Sequence, residues 1–242
     1  MNDIYKIKED LRLSSNRGKS KVLAGFFKTG EGQYGEGDVF IGVNVPDCRK
    51  VARKYTRVDL DIVKRLIESK IHEERLTGLL ILVDKYEKFG DNKKEIVDFY
   101  LNNLKGVNNW DLVDLTAPKI LGDYLLNFVE DRKVLYEFAD SGDLWKRRIS
   151  IVSCYTFIRV KKFEDCLKIS EILLNDEHDL IHKAVGWMLR EVGKRDVNVL
   201  ENFLKKHYRI MPRTMLRYAI EKFSKEKKDF YMSKVKMFNF FL

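Results

Sequence analysis

The chain has 242 residues, of which 45% are hydrophobic and 34% are charged, and this balance is typical of a folded domain with a buried core. It excludes a disordered tail and a collagen-like rod. The formal net charge is +9, and the excess is uneven: residues 1–144 carry 24 basic and 25 acidic side chains, whereas residues 145–242 carry 22 and 12. A strongly basic portion indicates a polyanionic partner, most often nucleic acid.

The first elements are predicted from apolar residues at helical spacing. Ile4, Ile7 and Leu11 line one face of a short first helix, and a second helix runs through residues 22–27. The N-terminus lacks the apolar core of a signal peptide, and no run of about eighteen apolar residues occurs, so we expect no membrane-spanning segment.

A glycine-rich stretch follows at residues 29–38, which read TGEGQYGEGD. Its carboxylates, Glu31, Glu36 and Asp38, would repel phosphate, so we interpret the stretch as a solvated loop and not as a phosphate cradle. Pro46, at a favoured first helical position, opens the next helix.

Helical periodicity continues to the end of the chain. Further helices are predicted near 59–69, 73–88, 92–104, 109–124, 131–139, 143–159, 163–174, 178–194, 197–207, 212–223 and 225–237. No alternation of period two is sustained, so the predicted class is all-α. The apolar end, residues 237–242, is expected to pack back on the body.

The helices that start near 73, 109, 145 and 181 come at a spacing of 36 residues. In that register two columns of residues are suited to a core, and a third suits close helix approach. The columns are Thr77, Val113, Ile149, Val185; Leu80, Thr116, Val152, Met188; and Gly78, Asp114, Ser150, Gly186. We predict one α-solenoid domain over 1–242, with about six HEAT-like helix pairs and a concave DNA-binding face.

Four residues break this repeat, and their chemistry suggests a site. They are Trp110, Asp114, Arg148 and Trp187. Equivalent helices of a solenoid lie side by side, so the four side chains are predicted to gather on one concave surface. Two aromatic faces, a carboxylate and a guanidinium suit a cationic or sugar-like group near a phosphate backbone. Core packing of each tryptophan and a structural ion pair between Asp114 and Arg148 are the alternatives.

Other chemistries have no support in the sequence. The three cysteines are odd in number and show no CxxC spacing, which is typical of a reducing, cytoplasmic compartment. The four histidines lack ligand spacing, so we expect no metal, and no His–Asp arrangement accompanies a Ser or Cys nucleophile.

At the four repeat-breaking positions the sequence resembles the AlkD-like DNA alkylation repair proteins, alkylpurine DNA glycosylases built of HEAT-like repeats. The resemblance is carried by FIGVNVPDCRKVARKY (40–55), NNWDLVDLTAPKILGDY (108–124), LWKRRISIV (144–152), HKAVGWMLREVGKRD (182–196) and PRTMLRYAIEKF (212–223). It implies excision of cationic N3- or N7-alkylated purines from duplex DNA in base excision repair, without a cofactor and without deep base flipping. The family's catalytic carboxylate falls on Asp114, and its other site positions fall on Trp110, Arg148 and Trp187.

The basic portion of the chain is expected to hold the DNA backbone. The predicted phosphate contacts are Lys183, Arg190, Arg213 and Arg217. We expect a monomer whose partner is double-stranded DNA with alkylated purines.

The best-known members of the family that the sequence resembles lack the 29–38 insertion, and some branches of that family bind DNA without catalysis. A non-catalytic binder of bent or branched DNA is therefore one alternative. A solenoid whose basic surface binds an acidic protein is the other.

Overall fold

The structure, a computed structural model, describes residues 2–88 and 93–233. Within these ranges the protein is helical, and pairing between extended segments is confined to one isolated parallel bridge, between Val39 and Ile71. The predicted all-α class is therefore confirmed. The chain divides into two compact units, Met1–Asn127 and Phe128–Leu242, called unit 1 and unit 2 below. The single solenoid domain with a concave DNA-binding face stays a prediction.

The helices of unit 1 are α1 (Asn2–Leu13), α2 (Arg17–Phe26), α3 (Val45–Lys54), α4 (Leu60–Ile67), α5 (His72–Lys88), α6 (Lys93–Asn102), α7 (Trp110–Thr116) and α8 (Asp123–Asn127). A 3-10 turn over Leu104–Gly106 precedes α7. Helix α5 packs against α3, α4 and α7, so it is buried on most sides. Its residues Leu79, Ile81 and Leu82 are 0% exposed and form the centre of the unit 1 core.

The two N-terminal helices differ in how they bury their apolar residues. Ile4, Ile7 and Leu11 of α1 are buried, as their spacing predicted. The second predicted helix is present as α2, but its residues Val22 and Phe26 are 71% and 62% exposed. Helix α2 lies on the surface of unit 1, and only Phe27, the residue after it, enters the core.

The helix predicted over 109–124 is divided into three parts. Helix α7 ends at Thr116, a π-helical turn covers Pro118–Gly122, and α8 follows. Proline has no N–H to donate to the carbonyl four residues earlier, which here belongs to Asp114. The backbone instead closes a wider turn, in which the Gly122 amide donates to the Ala117 carbonyl at 2.8 Å.

The helices of unit 2 are α9 (Lys133–Ala139), α10 (Leu144–Arg159), α11 (Glu164–Ile172), α12 (Asp179–Arg195), α13 (Val197–His207), α14 (Arg213–Ala219) and α15 (Lys225–Met232). Helix α10 packs against α9, α11 and α12, and α12 packs against α13 and α14. The last helix ends earlier than predicted, at Met232. The apolar end, 237–242, lies outside the described residues. No helix in the described ranges is long and apolar enough to cross a membrane.

The two predicted core columns are buried within each unit. All eight side chains are at most 6% exposed: Thr77, Leu80, Val113 and Thr116 in unit 1, and Ile149, Val152, Val185 and Met188 in unit 2. Helix α5 packs against α7, and α10 packs against α12, so these residues lie where the repeat register placed them. The eight positions are thus core positions, as predicted, while the 36-residue repeat that relates them stays a prediction.

The third column marks close approaches between helices. A Cβ atom added to Gly78 would lie 2.8 Å from Cβ of Leu66 on α4. One added to Gly186 would lie 2.5 Å from both the Met215 carbonyl oxygen and Cβ of Tyr218 on α14. Both glycines therefore allow a neighbouring helix to pack closer than any side chain would permit.

We expect Gly186→Ala to destabilise the protein by about 1–3 kcal/mol, because the added methyl group forces α12 and α14 apart. This loss outweighs the gain of up to about 1 kcal/mol that alanine brings to an unstrained helix position. Chemical denaturation followed by circular dichroism measures the difference. Gly142→Ala is the control, because the added Cβ would meet nothing within 4 Å. Equal unfolding midpoints for both variants would contradict the close approach.

Candidate functional site

Helix α7 presents Trp110 and Asp114 on one face, since the two residues are four apart. The helix begins with a side-chain cap: Oδ1 of Asn109 accepts a hydrogen bond from the Trp110 amide at 2.8 Å. Asn109 is 0% exposed, so the cap is buried. Trp110 and Asp114 both line a cavity of about 450 Å³ in unit 1.

The cavity has an aromatic wall. The Phe27 ring stacks on Trp110 with centroids 5.2 Å apart, and the Phe26 ring meets Trp110 edge-on at 5.9 Å. Phe40 stacks on the other side of Phe27 at 5.0 Å. The exposed α2 residue Phe26 is thus explained by its position at the cavity. Aromatic faces of this kind attract cations and planar rings.

The remaining polar lining is acidic. Glu73, Asp111 and Asp114 contribute three carboxylates, and the described residues that line the cavity include neither Lys nor Arg. His72 is the one basic group among these lining residues. The described lining residues thus carry more acidic than basic groups, which favours a cationic ligand.

A buried hydrogen-bond network lies beside the cavity. Nδ1 of His72 is 3.1 Å from Oδ2 of Asp38, and Nε2 is 2.9 Å from Oδ2 of Asp111. The guanidinium of Arg75 donates to Oδ1 of Asp38 at 2.6 Å, and Nδ2 of Asn109 donates to Oδ2 of Asp38 at 3.2 Å. An ionised carboxylate only accepts hydrogen bonds, so with Asp38 and Asp111 both ionised the two ring nitrogens of His72 both donate, and the ring is an imidazolium.

The charges of this network shift one another's pKa values. Burial alone would lower the pKa of His72, but the hydrogen bonds to Asp111 and Asp38 outweigh it and raise that pKa above its ordinary value of 6.5. Burial alone would raise the pKa of Asp38, but the hydrogen bond to His72 and the charge of Arg75 lower it below 3.8. Oδ1 of Asp111 is buried and has no hydrogen-bond partner among the described residues.

Glu73 fixes the backbone that carries Phe40. Its carboxylate accepts hydrogen bonds from the amides of Ile41, Gly42 and Val43 at 2.7–3.2 Å. Gly42 has a φ of +84°, and a Cβ there would overlap the backbone of the α2 N-cap residue. Glycine is required at this position, and the turn directs Phe40 into the wall of the cavity.

Unit 2 contains the other two predicted site residues. Arg148 is 5% exposed, and its Nη1 donates to the Leu180 carbonyl at the start of α12 at 2.7 Å. Trp187 is partly buried on α12, with its ring 6.0 Å from that of Tyr155. Arg148 and Trp187 thus lie on α10 and α12, which pack together. That all four site residues share one surface stays a prediction.

The predicted DNA contacts lie on two packed helices of unit 2. Lys183 and Arg190 are on α12, and Arg213 and Arg217 are on α14. Lys183 pairs with Asp179 at 2.7 Å, Arg190 pairs with Glu221, and Arg213 donates to the Met232 carbonyl. The pair of Lys183 with Asp179 is exposed, and exposed ion pairs contribute little free energy. That these residues contact DNA stays a prediction.

The interpretation of 29–38 as a solvated loop is correct for Glu31 and Glu36, which are exposed, but wrong for Asp38. The Asp38 side chain is 4% exposed, because His72, Arg75 and Asn109 surround it with donors. Its position just before Phe40 and Val43, two apolar residues that enter the core, was the signal in the sequence. No comparable feature of the sequence indicated that His72 and Asp111 pair.

We expect the His72 ring to titrate above pH 6.5, and Asp111→Asn to lower its pKa because one of the two carboxylate partners is lost. The folded protein holds a proton that the unfolded chain releases near pH 6.5, so the contribution of His72 to the free energy of unfolding is fully present below that pH. This contribution is lost as the pH rises through the pKa of His72 in the folded protein. Ring resonances in an NMR titration, assigned with His72→Gln, measure the shift. His178, whose pKa burial lowers, is the internal control and should not change.

Comparisons with known proteins show the fold and the family of this chain. A search of curated proteins finds no match. A solved structure from Enterococcus faecalis, described as a predicted DNA alkylation repair enzyme, is similar with a TM-score of 0.71 and 16% identity, over 88% of this chain and 98% of that one. At this identity the likeness shows a shared fold. The family model of the DNA alkylation repair enzymes matches residues 7–223, and the protein therefore belongs to that family.

Proposed function

We propose that the protein is a monofunctional alkylpurine DNA glycosylase, which excises cationic N3- or N7-alkylated purines from duplex DNA. Membership of the DNA alkylation repair enzyme family supports a role in repair. The observation that carries the finer proposal is the cavity of unit 1, where an aromatic wall and three carboxylates occur without a Lys or Arg among its described lining residues. Such a lining favours a cation with an apolar body.

The chemistry of the lesion explains why so few groups are needed. An N-alkylated purine carries a positive charge, so its glycosidic bond is weak and the base leaves without being protonated. Water adds to C1′ of the deoxyribose, the bond from C1′ to the base nitrogen breaks, and the base takes the bonding electrons. The protein has to stabilise the oxocarbenium-like sugar and hold the water. No metal or cofactor enters this reaction.

Asp114 is the proposed catalytic carboxylate. It lines the cavity one helical turn after Trp110, so a single helix presents both groups to the same space. A negative charge at this position stabilises the positive charge that develops on the sugar, and its oxygens accept a proton from the attacking water. Trp110 adds an electron-rich face that excludes bulk solvent.

The roles proposed for unit 2 follow the family resemblance. Trp187 would flank the deoxyribose, and Arg148 would anchor a neighbouring phosphate, with the base remaining largely stacked. The phosphate backbone would bind Lys183, Arg190, Arg213 and Arg217. That these four basic residues lie on the packed helices α12 and α14 supports this assignment. Counterion release at such contacts makes binding strongly dependent on salt.

Asp114→Asn should lower the rate of base release by about 10²–10⁴-fold, because the amide cannot stabilise the cationic sugar. The rate is measured as free 7-methylguanine released from N-methylated duplex DNA in a single turnover. Asp61→Asn, which removes an exposed carboxylate from α4, is the matched control and should retain the full rate. Affinity for duplex DNA should be near normal in both variants.

Unchanged release by Asp114→Asn would contradict the catalytic assignment. If the unaltered protein binds duplex DNA but releases no purine, the glycosylase proposal is wrong and the protein is a non-catalytic DNA binder. If it binds no duplex at moderate salt, both DNA functions are wrong.

Lys183→Ala and Arg217→Ala should each weaken binding to all duplexes alike, because phosphate contacts carry no sequence information. The slope of log Kd against log salt should decrease by about 1 for each variant. Fluorescence anisotropy of labelled duplexes over a salt series measures the slope. Lys168→Ala, an exposed lysine of α11 outside the predicted set, controls for the loss of one positive charge. A slope that stays the same in all three variants would contradict the assignment.

A further inference from the structure

The glycine-rich loop 29–38 has no part in the reaction proposed above, yet it supplies a buried carboxylate that reaches the start of α7. Oδ2 of Asp38 is the acceptor for Nδ2 of Asn109 at 3.2 Å, and Asn109 in turn caps α7 through the Trp110 amide. Two hydrogen bonds therefore connect the loop to the backbone of the residue that forms the aromatic wall of the cavity.

A second connection runs through the imidazolium of α5. Oδ2 of Asp38 is 3.1 Å from Nδ1 of His72, and Nε2 of His72 is 2.9 Å from Oδ2 of Asp111. Asp111 lies in the first turn of α7, next to Trp110. Both routes begin at the same carboxylate and end on consecutive residues around the first turn of this helix.

The loop has its own fixed position on the aromatic wall. A Cβ atom at Gly35 would overlap the Phe27 carbonyl oxygen, so the loop backbone lies directly against that residue. The Gly35 amide donates to the Lys28 carbonyl at 3.1 Å, which closes the loop. Gly37, with a φ of +82°, then turns the chain so that Asp38 faces inwards. The loop is therefore anchored at one end on Phe27, which stacks on Trp110, and at the other on the network.

We infer that Asp38 is a positioning residue for Trp110 and Asp114, an inference that rests on the function proposed above. Helix α7 has only seven residues, too few to be stable by itself, so contacts at its first turn decide how it is oriented. Removing the Asp38 charge weakens the hydrogen bond from Nδ2 of Asn109 and leaves His72 with one carboxylate partner. A displacement of about 1 Å in a reacting group lowers a rate by up to about 10²-fold.

The test compares Asp38→Asn with Glu36→Gln. Both variants replace a carboxylate of the same loop by an amide. Glu36, however, is exposed, and among the described residues it accepts a hydrogen bond from the Gly32 amide of the loop itself, at 2.9 Å. We expect Asp38→Asn to release 7-methylguanine about 10–100-fold more slowly in a single turnover, with Kd for duplex DNA within about twofold of normal. The NMR resonance of the Trp110 indole N–H, assigned with Trp110→Phe, should move. Glu36→Gln should change none of these.

A second variant distinguishes a positioning effect from a folding defect in Asp38→Asn. Asn109→Ser keeps a good N-cap for α7 but removes the amide that donates to Asp38. It should also slow base release without weakening DNA binding. A normal rate in both Asp38→Asn and Asn109→Ser would overturn the inference, as would an equal loss of rate and of affinity.

The proposed function and this inference are tested by different measurements. If the unaltered protein releases no purine, the glycosylase proposal is wrong, while the indole resonance still decides the positioning role of Asp38. A resonance that moves in Asp38→Asn and Asn109→Ser but not in Glu36→Gln supports the inference. A resonance that stays in place in all three variants overturns it.

Discussion

One buried interaction connects three segments of unit 1: the His72 ring lies between the carboxylates of Asp38 and Asp111. Charges inside a protein are costly unless each has a partner of opposite sign and its hydrogen bonds are made. Here Arg75 completes a set of two positive and two negative groups, so the network as a whole is neutral. Because the partners come from the loop, from α5 and from α7, the network can form only when all three segments are in place.

Acidic and basic residues are concentrated in different parts of the chain, and the proposed substrate explains both concentrations. The cavity of unit 1 has an acidic, aromatic lining, which suits the cationic base and the developing charge on its sugar. Residues 145–242 carry 22 basic and 12 acidic side chains, which suits the phosphate backbone. A cationic lesion in an anionic polymer requires both kinds of surface, and a uniformly basic protein would repel the lesion.

Helical periodicity predicted most helices, because an amphipathic helix repeats its apolar residues every three to four positions. The helix predicted through 22–27 is present as α2, although Val22 and Phe26 are exposed. Periodicity failed in one segment. The predicted helix over 109–124 is interrupted at Pro118, a residue whose effect on the backbone could have been read from the sequence.

The sequence by itself determined the all-α class, the buried core columns, the uneven charge and the choice of Trp110 and Asp114 as candidate site residues. Each of these is a local or periodic property, and a spacing of four residues within a helix is enough to put two side chains on one face. Only the tertiary structure decided that Asp38 is buried against His72, and that His72 also holds Asp111, across separations of 34 and 39 residues. Pairs at such separations leave no period in the sequence, because they depend on how loop 29–38, α5 and α7 pack together.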